Sequence, residues 1–295
     1  MTKIKQFVQQ WIVPPKVWRL LFAIKTSLRN YLIGNKLLLK QTEALKNRHP
    51  GTRCFILGAG SSVKSQDIKK LENEFVISVS NTFVHPDFSL IRPKYHVLPP
   101  IMHSHGDVYS EERFVTWLKE MEVGVGEAEM FFHIGDKPMI ERNGLFKRHI
   151  IHWVEYTDWN GSFGHELNLY NVPRIGSVSE LAITIGLYLG FDEIYLLGID
   201  HDWFNGLFVY FYDHKTQHAV KPDENAVSHV DAEFQMRRHA DIFKKYKYLY
   251  SIKNNIYNAN ADPKHYMDVF PKVNYDSIFE SDPAKIINNT SKDNE

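Results

Sequence analysis

The feature that most constrains the fold is an apolar run from Cys54 to Leu57 that ends abruptly in the turn Gly58-Ala59-Gly60-Ser61-Ser62. A short continuous apolar run bounded by glycines is typical of a buried parallel strand. The polar pattern from Lys64 to Leu71 predicts a helix directly after the turn. Glycines at such a junction let backbone N–H groups approach an anion, and the helix dipole favours negative charge there. The spacing fits neither G-x-G-x-x-G nor a Walker A loop, so a tight turn without a ligand stays an open alternative.

Similar signals recur along residues 51–275. Strands are predicted at 75–80, 95–98, 129–134, 193–200 and 255–258, and helices at 111–121, 177–189 and 231–246. Strands that alternate with helices predict an α/β fold with a doubly wound, mostly parallel, Rossmann-like sheet. Residues 135–173 show no regular pattern and are interpreted as an irregular lid or insertion. Ligands of such sheets bind beyond the carboxyl ends of the strands, which places Gly58–Ser62, Asn81 and Asp200 on one functional edge.

The two ends of the chain differ from this body. Residues 1–50 contain many lysines and arginines but a single acid, Glu43, and apolar residues recur at helical spacing from Lys16 to Leu39. A basic amphipathic helix with tryptophans can lie on an anionic membrane surface, and it can equally pack on the domain with its basic face in solvent. We therefore expect an N-terminal helical segment at 1–50, one domain at 51–275 and a polar tail at 276–295.

Composition excludes several function classes. The 295 residues have a formal net charge of +0, which gives no general case for nucleic-acid binding. The one cysteine, Cys54, lies in a predicted core strand, so a structural thiol and a reducing, cytoplasmic compartment are expected. No apolar run is long enough for a transmembrane helix. Hydrolase and conventional kinase motifs are missing, and the histidines after Asp200 lack the compact spacing of a metal site.

Three segments together resemble the bacterial sialyltransferases of glycosyltransferase family 42 and related surface-polysaccharide transferases. The first is Ile56–Ser62, similar to I-x-G-N-G-P-S, and the second is Val79–Phe83, with a strand-end asparagine followed by an aromatic residue. The third is Arg174–Ser177, similar to R-I-T-S, followed by a helix and by Leu189–Asp200, similar to L-G-Y-K-E-I-Y-L-x-G-I-D. A fourth segment, Ser228-His229, resembles the region of the family's catalytic histidine. The resemblance covers residues 53 to about 275.

The resemblance implies a glycosyltransferase that moves a sugar from a CMP-activated donor to a glycan hydroxyl, with inversion and without a metal or another cofactor. His229 would be the general base, a role that the ordinary pKa of histidine suits; a surface histidine beside a helix N-terminus is the alternative. The residues implied to bind the nucleotide are Gly58, Ala59, Gly60, Ser61, Asn81, Ser177 and Asp200. Candidate phosphate or donor contacts are Arg174, Tyr210, Tyr212 and His201.

This chain departs from the family pattern at several positions. Ala59 stands where the family has asparagine, Ser61 where it has proline, and Gly176 and Val178 replace threonine and glycine. The donor therefore stays open between sialic acid, another nonulosonic acid and an octulosonic acid. The expected setting is lipopolysaccharide or capsule assembly on the inner face of the cytoplasmic membrane, with a glycan or lipid-linked acceptor and a homo-oligomer as a further candidate. The alternatives are an ATP-dependent enzyme like the pterin pyrophosphokinases and a non-catalytic nucleotide-sugar-binding protein.

Overall fold

The computed structural model describes residues 28, 35–101, 111–157, 167–201, 210–212, 232–260 and 267–280, with backbone alone at 35, 36 and 232–235. Its strands are β1 (Arg53–Leu57), β2 (Phe75–Val79), β3 (Tyr95–Val97), β4 (Glu129–His133), β5 (Ile151–Val154), β6 (Tyr156–Thr157), β7 (Val172–Pro173), β8 (Glu193–Leu197) and β9 (Ile256–Asn258). Its α-helices are α1 (Asn35–Lys40), α2 (Phe88–Ile91), α3 (Glu111–Gly124), α4 (Lys137–Arg142), α5 (Val178–Leu189), α6 (Ala232–Ile252) and α7 (Ser277–Glu280).

Within these residues, seven strands form one sheet in the order β5-β4-β3-β2-β1-β8-β9, and β6 pairs with β7 separately. Every pairing between these nine strands is parallel. The chain runs outward from β1 to β5 and then returns to the other side of β1 as β8. The prediction of a doubly wound, mostly parallel α/β sheet is therefore confirmed.

Alternate residues of β1 point to opposite faces of the sheet, and both faces are covered. Cys54 and Ile56 pack with residues of α5 and α6, whereas Phe55 and Leu57 pack with α2 and α7. A third apolar cluster joins α3 and α4 to β4. Because both faces are buried, the strands read as continuous apolar runs rather than as alternating ones. Burial also raises the pKa of the Cys54 thiol well above its usual value, which suits the expected structural role.

Two sequence predictions are wrong. Residues 64–71 do not form one helix, because Gln66 and Asp67 are extended and separate the 3-10 helices Ser61–Ser65 and Ile68–Leu71. Gln66 turns inward to donate from Nε2 to the Ala259 carbonyl, and the Asp67 carboxylate accepts from the Lys69 amide. The stretch 135–173 is not irregular throughout, since it contains α4 and the sheet's edge strand β5.

The described part of the N-terminal segment packs on the domain. Leu39 and Leu45 are buried, and the amides of Asn47 and His49 donate to the last carbonyls of α5. Most of the predicted helix from Lys16 to Leu39 lies outside the described residues, so membrane association stays a prediction. Nowhere in the described chain is a helix both long and apolar enough to cross a membrane. At the other end, Ile278 and Phe279 of α7 are buried against the sheet.

The amino edge of the sheet is held by one buried carboxylate. Glu129, at the start of β4, accepts from Arg48 at 2.8 Å, Lys94 at 2.9 Å and His152 at 2.7 Å. Arg48 belongs to the N-terminal stretch, Lys94 directly precedes β3, and His152 lies in β5. Burial alone would raise the pKa of Glu129, but the three hydrogen bonds outweigh it and lower the pKa to about 2. This cluster lies at the amino ends of the strands, at the edge opposite the predicted ligand site. It holds the strands together without being part of that site.

Glu129→Gln should remove much of the acid sensitivity of folding. The folded pKa of about 2 lies below the ordinary value of 4.5, so the stabilisation is complete above pH 4.5 and is lost as the pH falls through 2. Between pH 5 and pH 2, this group should lower the free energy of unfolding of the wild type, measured with urea, by about 3 kcal/mol. The matched control is Glu72→Gln, which changes an exposed carboxylate 3.8 Å from Arg92. Equal pH dependence in the two variants would contradict the assignment.

Candidate functional site

The predicted site lies where the strand order reverses. β1 has β2 on one side and β8 on the other, so the loops that follow β1 and β8 leave the sheet side by side. Doubly wound sheets bind ligands in the crevice at this switch point. Gly58–Ser62 and Gly198–His201 are the two loops that meet here.

The glycines of these loops are required by the approach of the two backbones. A Cβ on Gly58 would lie 2.4 Å from the Gly198 carbonyl oxygen, and one on Gly198 would lie 2.5 Å from the Gly58 oxygen. Gly198 also has a φ of +62°. A Cβ on Gly60 would lie 2.4 Å from the Asp200 carboxylate. The turn that resembles an anion cradle therefore has a structural reason of its own, and nucleotide contacts by Gly58, Ala59, Gly60 and Ser61 stay a prediction.

Asp200 joins the two loops. Its carboxylate accepts from the Ser62 amide at 3.0 Å and from the Ser62 hydroxyl at 2.6 Å, and both residues are buried. The Ser62 amide belongs to the first turn of the 3-10 helix, where the sequence suggested an anion. The protein's own carboxylate takes this amide, so an anion bound at the turn would have to use other groups, and such binding stays a prediction.

Asn81 is buried between two elements. Its side-chain amide donates to the Tyr212 hydroxyl at 3.2 Å, and its carbonyl oxygen accepts from the Trp117 indole N–H of α3 at 2.6 Å. The preceding residue, Ser80, has a φ of +49°. A non-glycine residue in this region is strained and typical of functional sites, where surrounding contacts hold it in place.

Tyr210 and Tyr212 cross the glycine turn. Tyr210 forms an isolated antiparallel bridge with Gly60, and the Phe211 amide donates to the Ala59 carbonyl at 3.1 Å. The two tyrosine rings stack with centroids 5.1 Å apart and an interplanar angle of 3°. Burial raises the pKa of both hydroxyls. The pair thus places neutral phenol groups beside the switch point.

Ser177 and Arg174 lie at the start of α5. Ser177 is the N-cap, and the Glu180 carboxylate accepts from the amides of Gly176 and Ser177 at 2.6 and 3.3 Å. The Arg174 side chain is exposed, while its backbone carbonyl accepts from Lys245 at 2.6 Å. A Cβ on Gly176 would lie 2.9 Å from Ile242, which explains glycine where the resemblance predicts threonine.

Sequence reasoning missed the contribution of α6. Arg238 donates from Nε to the Gly176 carbonyl at 2.9 Å, and its charge acts on Tyr210 and His201. His239 is buried, with its ring 6.2 Å from that of His201. The available signal was a helical face of α6 on which Arg238 and Lys245 alternate with Ile242, Tyr246 and Leu249. Basic residues at core-facing positions indicate a buried polar partner.

His201 follows Asp200 with a φ of +55° and is buried. Its Nε2 lies 2.8 Å from the Tyr246 hydroxyl. Burial, together with the nearby charges of His239 and Arg238, lowers the pKa of His201 to about 3, so its ring is neutral near pH 7.

Other predicted groups fall outside the described residues. These are the candidate base His229 and the histidines His214 and His218. In the described part of the chain, no cluster of three or more histidine, cysteine, aspartate or glutamate side chains is arranged to hold a metal ion.

Gly198→Ala should destabilise the protein far more than Gly126→Ala. Both glycines have a φ of +62°, but nothing lies within 4 Å of a Cβ on Gly126, whereas one on Gly198 meets the backbone of Gly58. The left-handed conformation alone costs about 1–2 kcal/mol. We expect Gly198→Ala to cost at least about 2 kcal/mol more by urea unfolding. If both substitutions lowered the free energy of unfolding equally, the close approach of the two backbones would not be the reason for glycine at position 198.

Asn81→Ala should leave the buried Trp117 indole N–H without its acceptor. An unsatisfied buried donor costs about 1–3 kcal/mol. Trp117→Phe removes the indole N–H, so Asn81→Ala leaves no donor unsatisfied in that background and should cost less stability. A double-mutant cycle measured by urea unfolding should give a coupling of about 1 kcal/mol. Strict additivity would contradict the hydrogen bond.

No protein-family model matches the chain, and no curated protein matches it. Among solved structures, one match is the sialyltransferase CST-II in complex with a trisaccharide acceptor and CMP, with a TM-score of 0.44, 15% identity, and coverage of 75% of this chain and 85% of that one. Another is the sialyltransferase CstII from Campylobacter jejuni in complex with a substrate analogue, cytidine-5′-monophosphate, with a TM-score of 0.44, 16% identity, and coverage of 76% and 86%.

Proposed function

We propose that this protein is a glycosyltransferase that moves a sialic-acid-like sugar, nonulosonic or octulosonic, from a CMP-activated donor to a glycan hydroxyl. The observation that carries the proposal is the meeting at one sheet edge of segments far apart in the sequence. Gly60 bridges to Tyr210, Tyr212 bonds to Asn81, and Asp200 bonds to Ser62. Three of these segments are ones on which the sequence resemblance rests.

The tyrosine pair suits the departure of a phosphate. Transfer from a CMP donor breaks the bond between the sugar and the phosphate oxygen, so negative charge develops on the leaving CMP. Neutral hydroxyls that donate hydrogen bonds stabilise such charge. Because burial raises the pKa of Tyr210 and Tyr212, both stay protonated at neutral pH.

In this proposal His229 accepts the proton of the acceptor hydroxyl as the new glycosidic bond forms. A positioned general base contributes about 10²- to 10⁴-fold to rate. An acceptor on a membrane-bound glycan, in lipopolysaccharide or capsule assembly, would agree with the basic N-terminal segment. The protein would then act at the cytoplasmic face of the membrane.

An ATP-dependent pyrophosphokinase has less support from the site. Such an enzyme would use the glycine turn and helix start to hold a polyphosphate, but the Ser62 amide and hydroxyl are bound to Asp200. A non-catalytic nucleotide-sugar-binding protein would share the fold and the nucleotide affinity, and only turnover separates it from the enzyme.

The proposal predicts that CMP stabilises the protein without magnesium. A ligand at one hundred times its Kd adds about 2.7 kcal/mol, which thermal unfolding detects. The panel is CMP, CDP, UDP, GDP and ATP, each with and without magnesium. CMP-linked sialic acid, nonulosonic acid and octulosonic acid are then supplied with glycan acceptors, and release of CMP is measured. His229→Ala should lower turnover at least about 100-fold.

The matched control for this series is His149→Ala, which removes a histidine whose Nε2 lies 2.7 Å from the Gly126 carbonyl, away from the site. Stabilisation by magnesium-ATP alone would favour the pyrophosphokinase. CMP binding with no turnover of any donor would favour the binding protein. Full activity of His229→Ala would overturn the assigned base while leaving the reaction class in place.

A further inference from the structure

A continuous chain of hydrogen bonds links the N-cap of α5 to the loop after β8. The Ser177 hydroxyl lies 2.7 Å from that of Ser179, Ser179 lies 2.6 Å from the Tyr246 hydroxyl, and Tyr246 lies 2.8 Å from His201 Nε2. Ser179, Tyr246 and His201 are buried, whereas Ser177 is half-buried. The chain therefore runs from the buried loop after β8 to a half-buried hydroxyl at the start of α5, which the sequence resemblance implies as a nucleotide contact.

Each link holds one proton, so the chain has two consistent arrangements. If His201 carries its proton on Nε2, it donates to Tyr246, Tyr246 donates to Ser179, and Ser179 donates to Ser177. The Ser177 hydroxyl then donates to a group outside the chain. If the His201 proton is on Nδ1, every direction reverses, and Ser177 donates inward and presents only lone pairs outward.

The surroundings keep this choice between two neutral forms. In the described part of the chain, α6 brings the rings of Tyr246, His239 and Phe243 and the charge of Arg238 to His201. The pKa of about 3 keeps the imidazolium form out of the neutral range. Tyr246 is itself held by ring contacts with Phe243 and Phe270.

We propose that His201 and Tyr246 are positioning residues that set, through Ser179, whether the Ser177 hydroxyl donates or accepts at the site. A ligand oxyanion at Ser177 accepts a hydrogen bond and therefore selects the arrangement with the His201 proton on Nε2. This inference rests on the proposed function. In a glycosyltransferase of that kind, the oxyanion belongs to the CMP-linked donor. The relay would then favour an anionic group over a hydroxyl-bearing neutral sugar at this position.

Two variants of Ser177 should drive the relay in opposite directions without any ligand. Ser177→Asp places a carboxylate at the N-cap, where aspartate is well tolerated, and it accepts from Ser179. It should fix the His201 proton on Nε2. Ser177→Ala removes the outward acceptor, so Ser179 donates to Tyr246, Tyr246 donates to His201, and the proton moves to Nδ1. Long-range ¹H–¹⁵N spectra of ¹⁵N-histidine-labelled protein, assigned with His201→Gln, report which nitrogen is protonated.

Tyr246→Phe removes only the central hydroxyl and should make His201 give the same spectrum with Ser177→Asp as with Ser177→Ala. Tyr250→Phe, one turn further along α6 and packed on Phe270, is the matched control and should leave the difference intact. With wild-type protein, CMP should produce the Nε2-protonated spectrum. Tyr246→Phe should weaken CMP binding about fivefold, and Tyr250→Phe should leave it unchanged.

The relay is overturned if His201 carries its proton on the same nitrogen in Ser177→Asp and Ser177→Ala. A His201 difference that survives Tyr246→Phe also overturns it, because the signal would then bypass Tyr246. Failure of the proposed function looks different. The two Ser177 variants would still differ at His201, but CMP would neither bind the wild type nor change its spectrum.

Discussion

The site depends on the close approach of two loops at the carboxyl ends of β1 and β8. Gly58 and Gly198 let the two backbones touch, and Asp200 then bonds to Ser62 across the gap. Side chains at either glycine would push the strand ends apart at the point where the strand order reverses. Because the Tyr210–Tyr212 segment pairs with this turn, and Asn81 bonds to Tyr212, the position of the tyrosines follows from the same contact.

The second organising element is α6, which holds the start of α5. Arg238 donates to the Gly176 carbonyl and Lys245 to the Arg174 carbonyl, while Tyr246 bonds to Ser179. Lys245 also lies 2.7 Å from Asp241 and 3.7 Å from Glu180, so its buried charge has acidic partners. These polar contacts lie beneath the segment that resembles R-I-T-S. They fix the backbone that carries Ser177 and Arg174, whose contacts with a donor stay a prediction.

The elements predicted well from sequence are those whose own side chains decide their structure. β1, β2 and β8 are apolar runs buried on both faces, and α5 carries Ser177 as its N-cap with Glu180 three residues later. The helix predicted at 64–71 failed because Gln66 finds a partner, the Ala259 carbonyl, almost two hundred residues away. β5 was missed because its pattern is short and its place is fixed by pairing with β4.

The sequence by itself determined the class of fold and the edge at which chemistry is expected, because both depend on local patterns of apolar runs, glycines and strand-end polar residues. Only the tertiary structure decided which groups meet there. It gave the glycines a backbone partner, bound Asp200 to Ser62, buried Asn81 between Trp117 and Tyr212, and joined His201 to Ser177. Ser62 and Asp200, for example, are 138 positions apart, and no local pattern encodes such a separation. The physical reason is that a buried polar group must find its partner wherever packing brings one.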